Sequence, residues 1–176
     1  MKHAVLGFRA HFGWTALVAI SLEDGFPQVL LRERPHAEAR GFISGVRAEA
    51  RHLAYRAIQS VLVNLQKQGY ELKRCSLLLA SGRPLPGLAQ ILASHALIHA
   101  ADGEIFREAL LHASKRCGVE TFTAKESDLL ERAVHALRLQ PDEVARRLAD
   151  LGHPLGFPWS QNEKFAVLVA WVSLCR

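Results

Sequence analysis

Two histidines and an aspartate, His95, His99 and Asp102, stand at i, i+4 and i+7. On an uninterrupted helix that spacing puts them on one face, and two imidazoles with a carboxylate could hold zinc or another borderline metal. The stretch Ser94-His95-Ala96-Leu97-Ile98-His99 lacks the glutamate that accompanies zinc-protease helices, and Asp102-Gly103 is read as a break. A polar helix face, a cap or a satisfied core histidine is the competing explanation. Asp102, Glu104 and Glu108 form a second, acidic grouping, which solvated helix charges explain equally well. Ser81, in Ser81-Gly82-Arg83-Pro84, sits where a strand should turn into a helix, but the Gly-x-Ser-x-Gly elbow of a nucleophilic serine is missing. Neither a Gly-x-Gly-x-x-Gly nor a Walker sequence offers a phosphate-cradling loop.

Cationic residues are a different kind of candidate. The chain carries 22 Lys and Arg against 17 Asp and Glu, a net charge of +5. Residues 32–83 alone carry a net +6. Within that segment Arg40, Arg47, Arg51 and Arg56, with His52 and Tyr55 nearby, lie on or beside one long helix and could meet phosphates. Arg9, Ser81 and Arg83 are expected at the C-terminal edge of the sheet, where open α/β sheets place ligands. An ordinary solvated helix face is the alternative. Trp14, Trp159 and Trp171 read as packing residues; in Gly156-Phe157-Pro158-Trp159 an aromatic ring beside proline could instead be exposed for base stacking.

The elements that must position these residues are read from periodicity. Apolar runs at 4–10 and 12–21 flank a tight His11-Phe12-Gly13 region, and Asp24-Gly25 turns into a third run, Phe26 to Leu31, giving a three-stranded antiparallel meander. The connection 35–44 precedes a helix from Val46 to about Gln68, which Gly69 stops. Cys75 to Ala80 reads as a central strand buried on both faces. Helices are expected over 88–99 and 104–117, then a short strand at 119–123. Thr123 and Glu126 form a capping box for a helix to about Leu137; Pro141 opens another, and Ser160 with Glu163 caps a last apolar helix to Leu174. The order β-β-β-α-β-α-α-β-α-α-α predicts a mixed five-stranded sheet with helices on both faces.

With 176 residues, 49% hydrophobic and 22% charged, the chain suits one large globular domain and excludes disordered, fibrous and repeat classes. Cys75, Cys117 and Cys175 are odd in number and widely spaced, so free thiols are expected rather than a disulfide framework or a zinc pattern. No apolar run reaches the ~20 residues that span a bilayer, and a cytoplasmic location is expected.

The element order, together with Val5-Leu6-Gly7-Phe8-Arg9, Thr15 and Val18-Ala19-Ile20, resembles the ribonuclease H superfamily and its bacterial Holliday-junction resolvases, whose opening strand ends in Leu-Gly-Ile-Asp. The resemblance implies that fold, and two divalent metals held by carboxylates from the first strand, the fourth strand and the last helix. This chain departs from the pattern. Arg9 stands at the first position, Leu79-Ala80-Ser81 at the second, and only Glu163, between Asn162 and Lys164, remains near the third. A guanidinium repels a dication, so two-metal hydrolysis at this edge is not expected.

Three readings follow. The first is a catalytically degenerate, nucleic-acid-associated protein of ribonuclease H type, with Arg9, Arg47, Arg51 and Arg83 as contacts. The second is a metal-dependent nuclease or hydrolase with an altered site drawn from Ser81, His95, His99, Asp102 and Glu163. The third is a protein-interaction module using the apolar last helix or an edge of the meander. A nucleic acid and a second copy of the chain, as a homodimer, are the partners left open; a membrane is not expected, and no cofactor beyond a divalent metal is implied.

Overall fold

The structure, a computed structural model, describes residues 1–11, 14–36, 43–80 and 84–175. The meander is present as β1 (Lys2–His11), β2 (Trp14–Glu23) and β3 (Phe26–Glu33). Asp24 and Gly25 take φ of 51° and 80° between β2 and β3, the primed turn that matches strand twist. Helix α1 (Ile43–Lys67) ends at Gly69, whose φ of 81° suits a residue without Cβ. Then come β4 (Tyr70–Leu79), the short α2 (Leu88–Leu92), α3 (His95–Arg116), β5 (Glu120–Lys125), a 3-10 turn (Glu126–Asp128), α4 (Leu129–Leu137), α5 (Pro141–Asp150) and α6 (Gln161–Leu174). The strand order is β3-β2-β1-β4-β5, with β1, β4 and β5 parallel and the meander antiparallel.

Alternation along the central strands serves two cores. Ala4, Leu6, Phe8, Leu17, Ala19, Cys75 and Leu77 pack with Ile58, Val61 and Leu65 of α1 and with Leu110 and Ala113 of α3. Val5, Val18, Ile20, Leu78 and Ala124 face α4, α5 and α6. Gly7 faces α6 as well, and a Cβ there would lie 1.8 Å from the Ala166 carbonyl oxygen. The backbone of α6 therefore rests directly on β1.

Three expectations are corrected. The helical break is not at Asp102-Gly103 but at Ala93-Ser94, where the Ser94 hydroxyl accepts the Leu97 amide and α3 begins; α3 passes through Gly103 intact. Thr123 caps no helix, because β5 pairs with β4 as far as Lys125 and Thr123 lies opposite Leu77; α4 starts at Leu129 with no side-chain cap. The apolar last helix is not an open surface. Residues Ala166 to Val172 are all buried between the sheet and α4–α5, so the interaction-module reading loses that face. The second box is present: Ser160 and Glu163 exchange the reciprocal bonds that open α6. Among the described residues no helix is long and apolar enough to cross a membrane.

Candidate functional site

Parallel pairing of β1, β4 and β5 brings their C-terminal ends to one edge. Because β3 runs antiparallel to β2, its end and the start of α1 reach the same edge, as do the starts of α3 and α6. Arg9 lies at the centre. Its Nη1 donates to Asn162 Oδ1 (2.5 Å), its Nη2 donates to Glu126 Oε1 (2.7 Å), and its guanidinium sits 4.7 Å over the Phe165 ring. Only 18% of the side chain is exposed, so the Glu126 ion pair is shielded more than a surface pair. His11 Nε2 is 2.8 Å from the same Asn162 oxygen, and the His11 ring stacks on Trp14 at 4.5 Å.

Burial pushes the His11 imidazole below its ordinary value; the Asn162 bond opposes this, the Arg9 cation adds to it, Glu126 opposes it again, and Arg107 adds further. His11 is therefore neutral near pH 7.

A second guanidinium covers the start of α6. Arg34 Nε donates to Glu163 Oε1 (2.6 Å), and the Arg34 guanidinium lies over the Trp14 ring, 5.0 Å from its centroid. Glu163 is fully buried, and its other oxygen accepts from the Ser160 amide (2.9 Å) and hydroxyl (2.6 Å). Burial raises the Glu163 carboxyl, but the Ser160 and Arg34 bonds outweigh it and hold the group below the usual carboxylate value.

A resolvase-type metal pair does not fit these residues. Of the carboxylates at the edge, Glu126 is neutralised by Arg9 and Glu163 by Arg34. A dication would meet a guanidinium at the centre of the site, and no three His, Cys, Asp or Glu among the described residues are placed to hold a metal ion. His95 and His99 do meet on α3, Nε2 to Nε2 at 2.9 Å with rings edge to face, but Asp102 does not complete a ligand set with them. Glu104 is occupied by Arg107 and Glu108 by Arg51. Arg40, Ser81 and Arg83 lie outside the described residues.

Of the cationic stripe, Arg47 and Arg56 are exposed, whereas Arg51 bridges α1 to Glu108 of α3 at 2.5 Å. The tryptophan assignments divide. Trp171 is buried and Trp159 is a packing residue, donating Nε1–H to the Leu148 carbonyl (2.8 Å); the exposed ring of that loop is Phe157, at 96%. Arg32 clamps the loop by donating to the carbonyls of Leu155, Gly156 and Pro158.

Sequence reasoning missed Glu126, Arg34, His11 and Arg107 as members of this edge. Placing the end of β5 at Lys125 would have put Glu126 beside Arg9, but only tertiary structure joins residues 117 positions apart.

No protein-family model matches the chain, and no characterised protein matches it in sequence. Two solved structures are similar in fold. RuvC from T. thermophilus in complex with a Holliday-junction substrate superposes with a TM-score of 0.64 at 11% identity, covering 96% of this chain and 91% of that one. A Thermus thermophilus RuvC structure gives 0.63 at 12% identity, covering 98% and 93%. The mixed five-stranded sheet is thus the ribonuclease H-like fold of the resolvases.

Proposed function

We propose that the chain is a nucleic-acid-associated protein that has kept the resolvase fold and replaced the catalytic edge with cations. The observation that carries this is Arg9, held at the C-terminal end of β1 by Asn162 and Glu126. A guanidinium fixed there neutralises a carboxylate that a metal would need, and no hydrolytic step is assigned to the edge. Exposed Arg47 in the first turns of α1 supplies attraction for phosphates instead. The fold neighbour bound to a Holliday junction supports nucleic acid as the partner class.

The test is fluorescence anisotropy with labelled branched DNA, duplex DNA and single-stranded RNA over a salt series, with Mg²⁺ or Mn²⁺ present and the products run on a gel. Salt-dependent binding without cleavage is expected, with the slope reporting the number of phosphate contacts. Cleaved product would overturn the degenerate reading, and no binding at low salt would overturn the nucleic-acid reading.

A further inference from the structure

Sharing His11 and Trp14 with the Arg9 network, a cleft of about 410 Å³ opens between the ends of β1 and β4, the start of β2 and α3. Its polar lining is His11, His99 and Arg107, with the Trp14 edge; the rest is Ala10, Ala80, Ala100 and Gly103. Among the described residues that line it, none is acidic.

Arg107 is the unusual member. It is only 8% exposed, and burying a guanidinium is costly unless its donors are met. Glu104 accepts from Nε (3.0 Å) and Nη2 (2.7 Å). No hydrogen bond of Nη1 is found among the described residues; it lies over Gly103, 3.1 Å from where a Cβ would be. Glycine inside a helix is destabilising relative to alanine. Here the missing Cβ leaves room for the guanidinium and opens the floor of the cleft.

The cation is also electrostatically close to its neighbours: Arg107 and Arg9 both oppose protonation of His11. Glu104 is 59% exposed and offsets this field only partly. The His11 ring stacks on the Trp14 indole and the Arg34 guanidinium lies over it, so the ring is already engaged by protein groups.

We propose that this cleft binds a phosphate monoester, with Arg107 Nη1 as the main donor and the rings of His11 and His99 beside it. A planar guanidinium donates well to phosphate oxygens, and the volume suits a group larger than inorganic phosphate. The monoester is either the 5′-phosphorylated end of a strand or a free nucleoside monophosphate. The first alternative rests on the nucleic-acid reading above; the second does not.

The experiment compares a 5′-phosphorylated and a 5′-hydroxyl single strand of the same sequence, and a nucleoside 5′-monophosphate, on the full chain. The phosphorylated strand binds about tenfold more tightly, the expected worth of one charge-assisted donor. Arg107→Gln removes that preference, so that the two strands then bind alike, and His99→Gln reduces it. Circular dichroism reports whether Arg107→Gln folds. Independently of any variant, adding the monophosphate to the native chain shifts the ring resonances of His11 and His99. Saturable binding of the monophosphate with no binding of either strand supports the site as one for a free ester and overturns the nucleic-acid reading. Equal affinity for both strands together with unshifted histidine resonances overturns the proposal and leaves that reading standing.

Discussion

Arg34 and Glu163 meet at 2.6 Å across the junction of β3 and α6, with the carboxylate fully buried and the guanidinium one-third exposed. The same carboxylate closes the capping box of α6, so one side chain fixes both the helix start and the strand end beside it. Removing it leaves a partly buried cation unpaired and two donors of Ser160 unmet.

Glu163→Ala is expected to destabilise the fold by about 2 kcal/mol or more, combining a lost cap with a broken ion pair. The carboxyl is held below its ordinary value of 4.5. Its contribution is therefore complete above that pH and is lost as pH falls through the folded value. Urea unfolding of the native chain and Glu163→Gln at a series of pH values checks this: the two stabilities converge in acid, and a constant gap would refute the assignment.

Gly7→Ala should be more damaging than its size suggests. The new Cβ would lie 1.8 Å from the oxygen and 2.7 Å from the carbon of the Ala166 carbonyl, and both are backbone atoms that no rotamer change can move. A loss of about 3 kcal/mol or more is expected, because β1 and α6 must separate. An unchanged thermal midpoint would mean that α6 does not rest on β1.

This glycine shows what was legible in the sequence. Leu6-Gly7 belongs to the stretch that carried the resolvase resemblance, and its role is the close approach of helix to strand. The Asp24-Gly25 turn, the helix α1 and the Ser160–Glu163 box were equally readable, because each is set by residues a few positions apart. Gly103 misled, since a glycine that makes room for Arg107 has the same letter as one that ends a helix. The cationic edge was only half visible. Arg9 marked a missing carboxylate, but its partners Asn162 and Glu126 lie 153 and 117 residues away, and no periodicity connects them.

Trp159 and Phe157, two residues apart, are expected to respond oppositely to truncation. The Trp159 ring fills the space over Gly152, where a Cβ would fall 2.1 Å from it, and its N–H is satisfied by Leu148. Trp159→Ala costs about 2–3 kcal/mol, whereas Phe157→Ala, at a ring 96% exposed, stays within about 0.5 kcal/mol. Comparable losses in chemical denaturation would show that Phe157 packs against something.

His11 is expected to titrate below 6.5. The unfolded chain then takes up its proton first, so stability is complete above about pH 6.5 and declines as pH drops toward the folded value. Removing the Arg9 cation lifts one opposing charge and frees Glu126, so Arg9→Met raises the midpoint. Histidine ring resonances followed by NMR test both statements; a native midpoint at or above 6.5 refutes the first, and a fall in Arg9→Met the second.

Nucleic-acid affinity is expected to depend on which α1 arginines are already engaged. Arg47 is exposed, so Arg47→Ala weakens binding on all sequences alike and lowers the salt slope by about 1. Arg51 is tied to Glu108, with both side chains about two-fifths exposed, and a pair so solvated contributes less than about 1 kcal/mol to stability. Glu108→Gln therefore leaves the fold intact, releases Arg51 toward a phosphate, and strengthens binding while steepening the salt dependence. Anisotropy titrations at several salt concentrations distinguish the two effects by sign. If Glu108→Gln leaves both affinity and slope unchanged, α1 does not face the nucleic acid, and the cationic surface must lie on the Arg9 side of the edge alone.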